Sequence, residues 1–300
     1  MNNQELSKIK KAGRIMGEVV KYARQVIKPR MKLLEIAEKI EKKIIELGGK
    51  PAFPVNLCIN EITAHYTPSH DDETIASGLL KVDIGVSIDG YIADAAFSID
   101  LEKSEENKKL IEASEKALNE AIEVAKKNKT LGEIGRAIQE TIIKTSRQFS
   151  PIRNLSGHEI KQYELHAGLT IPNYDNGNSE KLHDGIYAIE PFATAGQGIV
   201  YDGKPSGIFN FKGRKAVRDS NAREIMNFIE NEYKTRPFCS RWLVKKFGSR
   251  ALLSLHLLEQ AGVLHQYSTL IEKAKMPVSQ AETTIIINEG KIEVLCSIID

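Results

Sequence analysis

The 300-residue sequence has no apolar run approaching the roughly 20 residues that a membrane span needs. Its first residues, Met1 to Lys8, are polar and carry no hydrophobic segment of the kind that directs export. A soluble, unprocessed, cytoplasmic protein is expected. Cysteine is scarce: Cys58, Cys239 and Cys296 are odd in number, widely scattered and without paired spacing. That excludes a disulfide framework and points to reduced, buried thiols. Neither sign of charge dominates, with 42 Lys and Arg against 40 Asp and Glu, so no global field draws the chain to nucleic acid or a membrane. Nothing suggests disorder, and 41% hydrophobic residues can fill the core of one large domain or two small ones.

Against this ordinary background, five ionisable residues stand out: Asp83, Asp94, His158, Glu190 and Glu282. Each sits in an apolar or glycine-bearing stretch, where a charge is tolerated only if it is paired or binds a metal. Leu79 to Ile88 reads as a mostly buried strand with Asp83 set into it. Asp89-Gly90 is a hairpin signal, and Tyr91 to Phe97 is a second apolar strand bearing Asp94. Folding about that turn places residues 83 and 94 opposite or diagonal to each other on one face. Two carboxylates that close repel unless a cation lies between them, so a metal ion, or two, is the simplest partner. His158 follows Gly157, Glu190 ends the run from Ile186, and Glu282 opens the run to Ile287. One imidazole and four carboxylates suit divalent Mn, Fe, Co or Zn.

An internal repeat bears on the architecture. Leu33, Glu35, Ile36, Ile40, Ile44 and Ile45 align with Leu131, Glu133, Ile134, Ile138, Ile142 and Ile143 at an offset of 98. Both stretches read as amphipathic helices, each preceded by another helical segment, roughly 5–27 and 105–127, and Thr130 with Glu133 has capping-box spacing. Each helix pair leads into site-bearing strands, so two related halves are expected to face each other across the metals. The second hairpin differs by a long excursion between Glu190 and Glu282. Within it, 221–233 and 249–262 read as helices. Arg236, Arg241, Lys245, Lys246 and Arg250 in this excursion offer either phosphate contacts or a solvated helical face, and intervening glutamates favour the second.

The segments Pro51-Ala52-Phe53-Pro54, Asn60 to Pro68, Val82-Asp83-Ile84-Gly85, Asp94 to Phe97, Asn154 to His158, His166-Ala167-Gly168, Ala188 to Phe192 and Ser279 to Thr284 run nearly end to end. In order and spacing, the chain resembles the metallo-aminopeptidases of the pita-bread fold, and most closely the type II methionine aminopeptidases in their archaeal form. The resemblance implies an α+β pita-bread fold with pseudo-twofold αβ halves, a catalytic domain made of 1–206 and 266–300 together, and an inserted helical, winged-helix-like subdomain, 207–265. It implies removal of initiator methionine before a small second residue. It also implies two divalent ions per chain (Co, Mn, Fe, Zn or Ni) held by Asp83, Asp94, His158, Glu190 and Glu282, with Asp94 and Glu282 as bridges. Water bound between the ions would attack the carbonyl. Glu190 would serve as base and acid, His166 would donate to the oxyanion, His65 would bind the substrate backbone and Phe53 would line the methionine pocket. The implied partners are nascent polypeptide N-termini, met at the ribosome, with no membrane or nucleic acid, and the chain is expected to be a monomer. One position departs: Thr283 stands where the family usually has His. Two other readings share the scaffold. X-Pro dipeptidases and aminopeptidases carry a separate N-terminal domain and no such insert; non-catalytic RNA- or ribosome-binding relatives have lost ligands that stand here.

Overall fold

The structure, a computed structural model, describes residues 1–298. Four long helices follow from apolar spacing of three and four. In α1 (Asn3–Val26), Ile9, Ala12, Met16, Val19 and Ala23 form one buried face, and Asn2 with Glu5 makes a capping box. The stripes of α2 (Leu33–Glu46) and α4 (Leu131–Thr145) match position for position, and α4 starts with the Thr130–Glu133 capping box. Ala113, Ala117 and Ala121 let α3 (Glu105–Lys126) lie close against its neighbours.

These helices cover one face of a nine-stranded antiparallel sheet. The strands Leu79–Ile88 and Tyr91–Asp100 form a long hairpin around Asp89 and Gly90, both at positive φ, as a tight primed turn requires. Glu282–Asn288 pairs with Gly185–Ile189, which pairs with Ser156–Ile160. The two halves meet where Tyr91–Asp100 lies beside Glu282–Asn288, and the register there has only two rungs, Glu282 with Ala96 and Thr283 with Ala95. Just beyond the rungs, hydroxyls take over. Thr284 Oγ1 accepts from Asp94 N (2.7 Å) and donates to Asp94 O (2.8 Å), and Ser98 Oγ does the same for the backbone of Gln280.

Strand periodicity decides what faces the helices. Val82, Ile84, Ala93, Ala95, Phe97, Tyr187, Ile189 and Ile285 enter the helix-side core. The intervening residues point to the other face, and Asp83, Asp94, His158 and Glu282 are among them. Asp83 and Asp94 are diagonal neighbours, since Gly85 is opposite Asp94 and Asp83 opposite Ala96. Thr283 belongs to the helix side, where its hydroxyl donates to Cys296 O at 2.6 Å. The departure from the family pattern therefore lies behind the sheet rather than in the site.

Between Phe192–Thr194 and Val278–Gln280 the chain makes its long excursion. The bulged pair Val200–Phe211 and Leu264–Glu272 carries α5 (Ser220–Glu232), α6 (Ser240–Phe247) and α7 (Arg250–Gln260) around a second core of Phe209, Ile225, Ile229, Phe238, Leu243 and Leu258. The expected helices at 221–233 and 249–262 are present, and α6 is an addition. The reading of the basic residues as a solvated face needs correction for two of them. Arg236 and Arg241 are each 3% exposed. Arg236 donates to Pro51 O and Glu232 O. Arg241 grips both oxygens of Glu41 on α2, at 2.7 and 2.8 Å, and Pro68 O. A guanidinium can be buried here because all of these acceptors converge on it. The three cysteines are free and buried, and no helix among the described residues is long and apolar enough to cross a membrane.

Candidate metal centre

The uncovered face of the sheet, walled by the excursion, encloses a cavity of about 250 Å³. Asp83, Asp94, His158, Glu190 and Glu282 all line it, with His65, His166 and Phe53. Every residue singled out from the sequence as a ligand or substrate contact is thus brought together. Gly85 makes room for the pocket wall: a Cβ there would come within 2.4 Å of the Phe53 ring, so the ring lies on the sheet directly across from Asp94.

Ligand-type atoms of Asp94, His158 and Glu282 lie within 4.8 Å of one another. His158 Nε2 is 3.7 Å from Asp94 Oδ2 and 3.8 Å from Glu190 Oε1. These distances are too long for hydrogen bonds, and burial, reinforced by His166, holds the His158 pKa down to about 3. The contacts are therefore not ion pairs; a neutral ring turns a lone pair towards carboxylates. Burial pushes Asp83 upward, while burial and then mutual repulsion push Asp94, Glu190 and Glu282 well above the usual carboxylate range. Asp83 Oδ1 and Asp94 Oδ1 are buried without a hydrogen-bond donor.

Among the described residues no Lys or Arg lines the cavity, so two buried carboxylates, Asp94 and Glu282, and two half-buried ones, Asp83 and Glu190, face one another with no side-chain countercharge. A divalent cation answers all of these observations together: it pairs the charges, occupies the imidazole lone pair and satisfies the orphaned oxygens. The donor set fits divalent metal.

His166 packs edge-on to His158 with ring centroids 4.4 Å apart, and desolvation against the cavity wall, with His65 next, lowers its pKa to about 4. His65 sits at φ 61°, a region a non-glycine residue adopts rarely. Its Nδ1 meets Ser268 O at 3.2 Å, and its ring rests edge-on against Tyr267. A carbonyl can only accept, so Nδ1 carries the proton and Nε2 is left as an acceptor.

Some site residues escaped the sequence reading. Gln280 Nε2 donates to Glu282 Oε2 at 3.0 Å and lies 3.5 Å from Glu190 Oε2. Its signal was available, because two residues before Glu282 on a strand is the same face. Ile208, Pro237 and Tyr267 reach the cavity from the excursion, and Asn56 from the strand Asn56–Ile59; these placements depend on tertiary pairing.

Comparison with known proteins agrees with this geometry. Residues 7–226 match the family model for metallopeptidase family M24. A methionine aminopeptidase of Pyrococcus abyssi is 46% identical over 96% of this chain and 98% of the relative. That of Methanocaldococcus jannaschii is 42% identical over 98% and 99%. Among solved structures, a thermophilic Arx1 superposes with a TM-score of 0.81 at 18% identity, covering 99% of this chain and 91% of that one. A methionine aminopeptidase of Thermotoga maritima gives 0.70 at 23% identity, covering 98% and 97%. At such identities these two attest the pita-bread fold alone. A buried acid cluster that calls for metal, on this fold and at this similarity to archaeal relatives, places the chain in metallopeptidase family M24, to whose archaeal-type methionine aminopeptidases it belongs.

Proposed function

We propose that this protein removes the N-terminal methionine from polypeptides whose second residue is small, using divalent metal held by Asp83, Asp94, His158, Glu190 and Glu282. The observation that carries the reading is the convergence of these five residues at the floor of a cavity with two neutral histidines and an apolar wall.

Two ions per chain are proposed, which Asp83, Asp94, His158, Glu190 and Glu282 would hold together. Bound there, divalent ions supply Lewis acidity towards a carbonyl and towards water. The remaining chemistry belongs to the chain. Glu190 takes a proton from the attacking water and returns it to the departing amine. His166 donates to the carbonyl oxygen as charge develops on it. His65, anchored on Ser268 O, accepts from a substrate backbone N–H through Nε2. Phe53, with Phe192 and Leu270, encloses the methionine side chain at the apolar wall of the cavity.

The segment 207–265 is proposed as a subdomain inserted in the pita-bread domain, 1–206 and 266–300, where it closes one side of the cleft. The proposed partners are nascent chains at the ribosome, met by a cytoplasmic monomer. Release of methionine from Met-Ala-Ser, compared with cleavage of an X-Pro peptide under added Mn or Co, tests the function. Metal-dependent methionine release abolished by Asp94→Ala is expected. Absence of methionine release by the wild type would overturn the proposal.

A further inference from the structure

Asn56 occupies a place for which neither the fold nor the acid cluster accounts. It lies directly opposite Asp83 in the antiparallel register, so the two side chains share a face. Its neighbours Val55 and Leu57 enter the helix-side core, which turns Asn56 to the cavity. Asn56 Nδ2 donates to Pro54 O at 2.8 Å. That contact fixes the amide orientation, because the opposite assignment would set oxygen against oxygen. Oδ1 is then aimed elsewhere, and it is buried without any donor while the residue is 5% exposed. A buried amide oxygen left unpaired is unfavourable, and the residue across from it, Asp83, brings a second unpaired oxygen, Oδ1. Three of the donors around the cavity are committed elsewhere: Gln280 to Glu282, Asn154 to Val200 O and His65 to Ser268 O.

From this juxtaposition we infer that Asn56 binds the α-amino group of the substrate, its side-chain oxygen accepting one amino N–H beside Asp83. The inference rests on the aminopeptidase reading and deepens it. A free amino group has N–H bonds to spare when its lone pair is engaged. A mid-chain or acylated nitrogen has one N–H and no basic lone pair. Asn56 would therefore help the site distinguish a free N-terminus from an internal peptide bond.

The test uses the full chain loaded with Mn and two probes that differ only by the amine, L-methioninol and 4-(methylthio)butan-1-ol, with binding measured by calorimetry. Asn56→Leu is expected to weaken methioninol about tenfold or more, the size expected for a hydrogen bond to a charged or metal-polarised donor. The amine-free probe should move less than about twofold, and Mn affinity should stay at the wild-type value. Asn56→Asp restores an oxygen acceptor without the donor to Pro54 O, and should keep the preference for the amine. Equal weakening of both probes, no weakening, or a parallel fall in Mn affinity would overturn the inference. Should Asn56→Leu fail to fold, Asn56→Ala, which also removes the acceptor, decides: selective loss of the amine preference supports the role, and its retention refutes it. Wild-type protein that releases no methionine would overturn the parent reading and this inference with it. Methionine release without any amine-dependent difference between wild type and variants would overturn the inference alone.

Discussion

Thr284→Val isolates the link between strand pairing and the metal centre. The Thr284 hydroxyl is buried, accepts from Asp94 N at 2.7 Å and donates to Asp94 O at 2.8 Å. Valine has nearly the same shape and can do neither. Two backbone groups of Asp94 then lose their partner, at about 1–3 kcal/mol each, so unfolding of the metal-free protein by urea should show a loss of about 2–6 kcal/mol. The loosened Asp94 carboxylate should also bind metal less well, by about 10- to 100-fold, the usual consequence of removing a group that orients a ligand. Titration calorimetry with Mn measures that loss directly. Thr284→Ser keeps the hydroxyl and should recover most of both quantities. If Thr284→Val matches the wild type in metal-free stability and Mn affinity, the hydroxyl clasp does not set the position of Asp94.

The buried Glu41–Arg241 pair makes a second prediction. Arg241→Met strands a carboxylate that keeps only Trp242 Nε1 and Val55 N as donors, and should cost about 3–5 kcal/mol in urea unfolding; Glu41→Met/Arg241→Met should regain most of it. A double variant as unstable as the single one would count against this account. A third concerns pH in metal-free protein. The folded-state pKa values of Asp83, Asp94, Glu190 and Glu282 are raised, Asp83 to about 7. Their contribution is therefore fully present below the unfolded values near 4 and lost as pH rises through the folded ones. His158 and His166 are lowered, to about 3 and about 4, so theirs is present above about 6.5 and lost as pH falls towards those values. Between about pH 4 and 6.5 four raised carboxylates outweigh two lowered histidines, so thermal unfolding in EDTA should show greatest stability near about pH 4 to 5 and a decline towards pH 8, and added Mn should abolish the decline. A metal-free profile that is flat from pH 6 to 8 would refute the assignment of buried, mutually repelling carboxylates.

What could be read from the sequence and what could not divide along physical lines. Asp83 and Asp94 were legible because a period-two strand and an Asp-Gly turn are local, and the turn alone sets their diagonal relation. The helix stripes of α2 and α4 and the Thr130 cap were legible for the same reason. Arg236 and Arg241 were misread because nothing near them in the sequence announces their acceptors. Glu41 is 200 residues from Arg241, and Pro51 is 185 from Arg236. Asn56 went unnoticed because its importance lies in one unpaired atom, which depends on the register with Asp83 and on a bond to Pro54 O. Thr283 departs from the family pattern at a position that strand parity alone places away from the site. One residue after Glu282, it must face the helices.

The position of the acid cluster relative to the seam explains why such costly charges are placed there. The halves are joined within the sheet by two rungs, at Ala95 and Ala96, flanked by one hydroxyl clasp from each side, Thr284 on Asp94 and Ser98 on Gln280. Asp94 and Glu282 lie at this seam on opposite strands, and their mutual repulsion acts to part it. A cation held at this seam would reverse the sign of that term, so metal binding would both neutralise the cluster and close the joint between the halves. The second half brings His158 and Glu190 to the same point, and the excursion adds the wall that excludes water. Because burial raises the carboxylates and lowers the histidines, the empty site resists holding its own ionised ligands, and metal affinity falls as pH falls. With metal held there, the same burial would give the centre low-dielectric surroundings, in which a fixed charge acts most strongly on a nearby carbonyl.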